Sequence, residues 1–304
     1  MQKLGYLLLR LVTTILWLIP FPILYLLSDG LAFLFYKILG YRRKVVESNL
    51  RRCFPEKEEK EIKQIAWKSY QNLTDNILET LKSFTMTTAK VKQRYKFLNP
   101  EVLDEWTAKG SHILICGSHF NNWEWGVQTA DVDVKAQVYG VYKPLKNKSI
   151  DGYFNNLRKR AGMRLLKMKK TFAFIEANQQ EPGIYFFIAD QSPANHSRIH
   201  WVDFLGNETA CATGVDTLAR MYNYPVFHYE VHRIKRGHYE VEYTKVCLDP
   251  SIKKEGEITQ EFMNILAKAI QKSPESWLWS HKRWKLNRAK VEANLKRLAA
   301  EGKL

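Results

Sequence analysis

The chain has 304 residues, with 47 Lys and Arg against 31 Asp and Glu, giving a formal net charge of +16. This length allows one large α/β domain with an appendage, or two small domains. The charge predicts an anionic partner, such as a lipid surface, an acidic protein or a nucleic acid. The four cysteines are scattered without a C-x-x-C pair, which argues against a disulfide framework or a cysteine-based zinc site. We expect buried thiols in a reducing compartment.

The first forty residues are strongly apolar. Residues 11–27 carry no charge, and residues 31–39 carry only Lys37. A run of this length is at the lower limit for a helix that spans a bilayer, and Pro20 and Pro22 are expected to kink or break it. The pattern predicts a membrane anchor over residues 1–40, either spanning the bilayer or lying in its plane. A buried core helix is the remaining alternative.

Basic residues follow the anchor directly, with five Lys and Arg between positions 42 and 52. By the positive-inside tendency, they predict that the body of the protein lies on the cytoplasmic side. No Pro-, Gly- or Ser-rich linker interrupts residues 41–304, so we expect them to form one domain, the catalytic domain if the protein is an enzyme.

Downstream of the anchor, apolar residues at helical spacing predict an amphipathic helix pair over residues 56–84. Strand-like and helix-like segments then alternate. Strands are predicted at 112–116, 136–142, 162–166 and 183–189, helices at 123–130, 149–160, 172–178, 211–222 and 258–271, and an antiparallel pair at 225–232 and 238–247. This alternation is typical of an α/β fold with a central mixed sheet flanked by helices.

A histidine and a glutamate follow the predicted strand at 112–116. His119 lies at the exposed end of a buried strand, where α/β proteins usually place their chemistry. Glu124 comes about one and a half helical turns later if a helix starts near Asn121. Its carboxylate could then hold one ring nitrogen and leave the other as a base, with Trp123 and Trp125 desolvating it. The alternative is a structural, hydrogen-bonded histidine.

A second polar cluster, Asp190 and Gln191, directly follows the apolar strand predicted at 183–189. We expect both side chains at the same edge of the sheet as His119. The alternative is a turn built on the Ser-Pro pair that comes next.

Two further segments are rich in cations. Residues 143–170 contain ten Lys and Arg, which could bind phosphates or an acidic carrier protein, or could form a solvated helix face. Residues 274–285 interleave three tryptophans with cations. Such a pattern suits a bilayer interface, a single-stranded nucleic acid groove, or tryptophans packed on the core. His196 and His200 have metal-ligand spacing but no obvious third ligand, so we predict no metal site there.

These motifs, in this order, resemble the bacterial lipid A biosynthesis acyltransferases, the late lauroyl and myristoyl transferases of the inner membrane. The resemblance covers nearly the whole chain. It rests on the N-terminal anchor, residues 119–124 as the H-x4-D/E motif, and segments 141–144, 156–162, 190–191, 201–209, 214–226 and 274–285. Two departures are Asn121, where a small residue is more usual, and Lys143, which replaces the commoner arginine.

The resemblance implies a glycerolipid-acyltransferase-like fold and a membrane-bound enzyme. Such an enzyme moves a fatty acyl chain from acyl carrier protein to a glycolipid hydroxyl, without a metal or cofactor. By position, His119 is the general base and Glu124 its partner. Asp190, Gln191 and one of Arg158 or Arg160 complete the substrate site.

The implied partners are acyl carrier protein, a glycolipid acceptor and the anionic inner membrane, with no nucleic acid. Other acceptors stay open, namely another glycolipid, an aminolipid or a lysophospholipid. An alternative from outside enzymes is a basic module that binds membranes or nucleic acid without catalysis. It predicts strongly salt-dependent oligonucleotide binding.

Overall fold

The computed structural model describes residues 2–129, 133–193 and 198–301. Its strands in chain order are β1 (Tyr95–Phe97), β2 (Ile113–Gly117), β3 (Gln137–Tyr142), β4 (Arg164–Lys167), β5 (Gly183–Ile188), β6 (Ile199–Phe204), β7 (Asn207–Ala212), β8 (Val226–Lys235) and β9 (His238–Cys247). Seven of them form one sheet in the order β1-β9-β8-β2-β5-β3-β4. Every pair in it is parallel except β8 with β9. The predicted mixed α/β sheet is confirmed.

Helices flank the sheet. They are α1 (Gln2–Leu18), α2 (Phe21–Phe33), α3 (Arg43–Cys53), α4 (Glu59–Ser83), α5 (Thr88–Lys92), α6 (Glu101–Thr107), α7 (Trp123–Thr129), α8 (Lys148–Arg158), α9 (Thr171–Ala177), α10 (Gly214–Tyr222), α11 (Glu257–Lys272) and α12 (Arg288–Ala300). A π-helical turn, Leu34–Ile38, continues α2, and a 3-10 turn, Lys159–Ala161, continues α8. Most predicted elements lie within a few residues of these bounds. Residue 130, the end of one predicted helix, lies outside the described residues.

The helix pair predicted over residues 56–84 is wrong, because this segment forms the single helix α4. It contains no glycine or proline between positions 59 and 83 that would interrupt it. Its start is fixed by a capping box, in which the side chains of Glu58 and Glu61 each accept a backbone N–H of the first turn.

The helix predicted over residues 211–222 is also wrong in its first part. Residues up to Ala212 belong to strand β7, and the helix α10 begins only at Gly214. Strand β7 pairs antiparallel with β6, which the sequence did not predict. Leu205 and Gly206, both with positive φ, form the tight turn between the two strands.

The sheet positions the candidate site. Strand β2 is central, and all five of its residues are buried. Its neighbour β5 runs parallel to it, with Gly117 paired to Ile188 at the carboxyl ends. The residues that follow these two strands therefore meet at one edge of the sheet, where open α/β sheets bind their ligands.

The apolar N-terminus forms two helices, because the run over residues 11–27 breaks between Leu18 and Phe21, at Pro20. The segment Phe21–Ile38 is long and apolar enough to cross a membrane. Large apolar side chains on both helices are exposed, namely Leu4, Leu7, Leu8, Leu11, Val12, Ile15, Trp17, Leu18, Ile23, Leu26, Leu27 and Phe33.

Both N-terminal helices also pack on α4 through polar contacts. The Lys82 ammonium donates to the carbonyls of Leu16 and Ile19, each at 2.7 Å, and so satisfies the C-terminal end of α1. The buried Ser28 hydroxyl on α2 donates to Asp75 at 2.6 Å. These contacts join the N-terminal helices to the body of the protein.

Candidate active site

His119 and Asp190 form a hydrogen-bonded pair at the carboxyl ends of β2 and β5. The distance from His119 Nδ1 to Asp190 Oδ1 is 2.7 Å, and the backbone N–H of His119 donates to Oδ2 at 2.9 Å. A carboxylate can only accept, so the ring proton lies on Nδ1. The Nε2 atom of His119 therefore carries a lone pair and can act as a general base.

The charges of this pair stabilise each other. Burial favours protonation of Asp190, but the nearby His119 and the donated hydrogen bonds outweigh it and lower the pKa of Asp190 to about 2. Burial likewise lowers the pKa of His119, but the charge and hydrogen bond of Asp190 more than offset it, so the pKa ends above its ordinary 6.5. His119 is thus a stronger base than a free imidazole, and its partner is ionised.

Glu124 does not make the predicted contact with His119. Its two carboxylate oxygens accept from Arg158 Nε at 2.9 Å and Nη2 at 3.0 Å, which is a bidentate pair. The cause is local, because Asn121 adopts a left-handed conformation with φ of 50° and α7 then starts at Trp123. Among the described residues, Asp190 takes the role of imidazole partner that the sequence predicted for Glu124.

Glu124 nonetheless belongs to the same site. It lines one cavity with His119, and its negative charge is among the causes that raise the pKa of the imidazole. Asparagine tolerates the left-handed backbone conformation that residue 121 adopts. This explains why Asn121 can replace the small residue that is more usual at this position, since glycine also suits such a turn.

The structure separates the two candidate arginines. Arg158 lines the cavity that holds His119 and Glu124. Arg160 points elsewhere, donating to the Met86 carbonyl at 3.3 Å and lining a different cavity beside Trp17 of α1. Of the two, Arg158 lies in the candidate site.

Two cavities adjoin the pair. The inner cavity has a volume of about 380 Å³, and its polar lining is His119, Glu124, Tyr142, Lys143, Asp151 and Arg158. Its apolar lining comes mainly from Val127, Gly140, Met163, Leu165, Phe186 and Ile188. The outer cavity, of about 470 Å³, lies toward α4 and the residues just before α3, and is lined in part by Tyr41, Ile77, Leu81, Leu278 and His281. Trp123, Glu124 and Phe154 line both cavities.

Gln191 lies between His119 and the outer cavity. Its Nε2 atom is 3.2 Å from His119 Nε2, and its side chain lines the outer cavity. Since Nε2 of the histidine has the lone pair, the glutamine amide is the donor. Both polar residues predicted after β5 therefore contact the imidazole, one at each ring nitrogen.

Residues 276–283, which we call the strap, contact both the loop that carries His119 and the loop that carries Asp190. The Trp277 indole donates to Asp190 Oδ2 at 2.9 Å, and the backbone N–H of Leu278 donates to the His119 carbonyl at 3.1 Å. The backbone N–H of Ser192 donates to His281 Nε2 at 3.2 Å. Burial, with Arg283 nearby, lowers the pKa of His281 to about 4, so this ring is neutral near pH 7.

The structure decides between the three alternatives predicted for the tryptophans of residues 274–285. Trp277 and Trp279 are 3% and 1% exposed, so they are not available to a bilayer interface or to nucleic acid bases. They pack in the core, and Arg283 of the same segment is itself buried, 1% exposed. Sequence reasoning missed Trp277 and His281, because their only signal is their place within segment 274–285, which resembles the family.

No metal centre is present among the residues described, because no group of three or more His, Cys, Asp or Glu side chains is placed to hold one. His200 is buried, and its Nδ1 atom is 3.0 Å from the Thr259 hydroxyl. His196 lies outside the described residues. The four cysteines are buried free thiols.

Comparison with known proteins identifies the family. Residues 1–286 match the profile described as bacterial lipid A biosynthesis acyltransferase. The chain is 26% identical over 278 residues to the lipid A biosynthesis lauroyltransferase of Escherichia coli K12, covering 89% of each chain. It is 21% identical over 280 residues to the lipid A biosynthesis palmitoleoyltransferase of Escherichia coli K12 and to the lipid A biosynthesis acyltransferase of Shigella flexneri, again covering 89% of each chain. The chain belongs to the bacterial lipid A biosynthesis acyltransferase family.

Proposed function

We propose that this acyltransferase moves a fatty acyl chain from the thioester of acyl carrier protein to a hydroxyl of a lipid A precursor. The observation that carries the proposal is a histidine base, fixed by a buried carboxylate, in the lining of a cavity whose other lining residues are mostly apolar. Family membership supplies the reaction class. The acyl carrier protein and the precise acceptor come from the resemblance and are part of the proposal.

The chemistry follows from the His119 tautomer. The Nε2 atom takes the proton of the acceptor hydroxyl as the oxygen attacks the thioester carbonyl. The tetrahedral adduct then collapses, the carbon–sulfur bond breaks, and the thiolate takes the proton from the imidazolium. Asp190 stabilises the imidazolium between these steps without taking its proton. No covalent enzyme intermediate is needed.

The inner cavity suits the acyl chain. Most of its lining residues are apolar, and burying each methylene contributes about 0.8 kcal/mol. Arg158, paired with Glu124, adds a cation to the lining near His119. There it can stabilise the oxyanion that forms on the thioester carbonyl.

An in-plane membrane anchor is supported by the contacts of α2. Asp29, in the middle of Phe21–Ile38, pairs with Arg236 at 2.8 Å, and Ser28 donates to the buried Asp75. If this segment crossed the bilayer, these charged partners from the body would lie in hydrocarbon, which is costly. The exposed apolar faces of α1 and α2 instead suit helices lying at the membrane surface, on the cytoplasmic side of the inner membrane.

Substitutions on the exposed face of α1 test the anchor. Leu11 and Leu18 are 57% and 70% exposed. We expect the double variant Leu11→Glu and Leu18→Glu to leave the membrane fraction on carbonate washing, while the control Ile252→Glu, at a residue 73% exposed on the body, stays bound. A double variant that stays in the pellet would favour a spanning helix.

The basic cluster at the edge of the sheet suits the acidic carrier protein. Strand β4 is an edge strand, and Lys167 at its end and Lys169 just after it are exposed. We expect Lys167→Glu with Lys169→Glu to raise KM for acyl carrier protein and to weaken its salt dependence. Lys96→Glu, an exposed lysine on the opposite edge strand β1, is the matched control and should change neither.

The decisive test of function is transfer of a radiolabelled acyl group from carrier protein to a lipid A precursor. His119→Ala should lower turnover by about 10²–10⁴-fold, the usual contribution of a general base. His232→Ala, a partly exposed histidine on β8, should retain near wild-type turnover. The proposal fails if His119→Ala transfers as fast as the wild type.

The acceptor is tested in cells. We expect mass spectrometry of lipid A from cells with and without the gene to differ by one acyl chain. An unchanged lipid A together with an altered phospholipid or aminolipid would reassign the acceptor while leaving the acyl transfer chemistry in place.

A further inference from the structure

The lone pair of the base is already occupied by a donor from the protein itself. Asp190 holds the proton of His119 on Nδ1, so Nε2 can only accept. The side-chain amide of Gln191 donates to that atom at 3.2 Å. A hydroxyl that is to be deprotonated by His119 must take the place of this amide.

The position of Gln191 indicates where that hydroxyl comes from. Gln191 lines the outer cavity, whereas His119 lines the inner one, and Trp123, Glu124 and Phe154 line both. If the acyl chain occupies the inner cavity, the acceptor reaches the base from the outer cavity. The outer cavity is lined by Tyr41 and Arg42, which directly follow the proposed anchor over residues 1–40.

We infer that Gln191 covers the catalytic base until a lipid acceptor in the outer cavity displaces it, and thereby prevents His119 from activating water against the acyl thioester. The inference rests on the proposed function and adds a second role to the same site. Keeping water from a bound reactive group is a recognised requirement for transferases that must not become hydrolases.

The two competing reactions differ only in the oxygen that is used. In transfer, the acceptor hydroxyl gives its proton to His119 Nε2, its oxygen adds to the carbonyl, and the thiolate leaves with that proton. In hydrolysis, water does the same, and the products are a free fatty acid and the carrier thiol. Without the Gln191 amide, a water molecule can occupy its position at Nε2.

The experiment compares hydrolysis with transfer in the full-length protein. We expect Gln191→Ala to hydrolyse the acyl thioester faster than the wild type in the absence of acceptor. The ratio of hydrolysis to transfer should rise about tenfold, near the upper end of what one neutral hydrogen bond provides. Gln191→Asn, whose amide is one methylene shorter, should raise it by a smaller factor. Gln260→Ala, a glutamine on α11 bonded to the backbone of β6, is the matched control and should leave the ratio unchanged.

Three readouts distinguish a cover from a merely structural residue. A structural defect would lower transfer and hydrolysis together, whereas loss of a cover raises hydrolysis. The added hydrolysis should disappear in the His119→Ala and Gln191→Ala double variant. Moreover, a donor to Nε2 favours the neutral ring, so its removal should move the acid limb of the hydrolysis profile to higher pH.

The outcomes separate this inference from the proposed function. If the wild type transfers acyl groups but Gln191→Ala and Gln191→Asn hydrolyse the thioester no faster than the wild type, Gln191 is not a cover. If the wild type transfers no acyl group to any lipid acceptor, the proposed function fails instead.

Discussion

Replacing Asp190 by asparagine should disable the base through its tautomer. Asp190 Oδ2 accepts from both the His119 backbone N–H and the Trp277 indole. The oxygen of an asparagine must therefore stay on that side, which turns its NH₂ group toward His119 Nδ1. The ring can then pair only by accepting at Nδ1 and carrying its proton on Nε2, where it cannot act as a base.

The expected loss combines two effects. A hydrogen bond to a charged group is worth about 1.5–3 kcal/mol, or about 10- to 150-fold. The wrong tautomer adds to this, and the total loss in kcat should be about 10³–10⁴-fold. The pKa should change as well, because burial of His119 is then offset only by the charge of Glu124 and no longer by the charge and hydrogen bond of Asp190. The acid limb of kcat/KM, expected above pH 6.5 in the wild type, should therefore move to lower pH.

The assay is the initial rate of acyl transfer between about pH 5 and pH 9, where a general base near neutrality is resolved. Thermal unfolding of each variant checks that the near-isosteric substitution leaves the fold intact. Asp203→Asn, at an exposed aspartate on β6, is the matched control. A kcat for Asp190→Asn within tenfold of the wild type, or an acid limb that does not move, would refute the tautomer argument.

Three further predictions concern the surroundings of the base. Glu124→Gln and Arg158→Lys should each lower kcat by about 10²-fold. Because Glu124 and Arg158 form one bidentate pair, their effects should be non-additive in a double-mutant cycle. A double variant whose loss in kcat is the product of the two single losses would contradict this coupling. Gly140→Ala should shorten the preferred acyl chain, because a new Cβ would lie 2.7 Å from the Met163 sulfur in the lining of the inner cavity. The measurement is mass spectrometry of the products formed from a mixture of thioesters. An unchanged product distribution would exclude that role. Trp277→Phe should lower kcat about tenfold through loss of one donor to Asp190, and wild-type kinetics would show that the indole is dispensable.

The meeting of the two polar clusters was predictable from the sequence. His119 and Asp190 each follow an apolar segment short enough to be a buried strand, and parallel strands bring their carboxyl ends to one edge. This rule places the residues at the same edge of the sheet. It does not say which strands are neighbours, so it could not show that the two side chains touch.

The partner of the imidazole could not be predicted from spacing. Glu124 is five residues from His119, and a regular helix start would let the two meet. The left-handed residue Asn121 changes the direction of the chain between them, and Arg158 from α8 then takes the carboxylate. A single backbone conformation, fixed by contacts such as the Asn121 amide to the Val231 carbonyl, decided the outcome.

Long-range pairing also decided the missed elements. Residues 207–212 form a strand because β6 pairs with them, and neither strand is long or strongly periodic by itself. The role of the strap depends on contacts with loops about 85 to 160 residues away in sequence, such as Trp277 with Asp190 and Leu278 with His119. The local amino-acid composition does not predict such long-range contacts.

The position of the strap near the end of the matched region has a consequence for biosynthesis. Residues 276–283 leave the ribosome long after α1 and α2, and chains begin to fold from their N-terminal parts during synthesis. A growing chain thus exposes its apolar helices while Asp190 still lacks the Trp277 donor and the His119 loop still lacks its backbone partner. If α1 and α2 anchor the protein as proposed, the order of the elements along the chain lets the anchor reach the membrane before the His119–Asp190 pair gains its last hydrogen-bond donors.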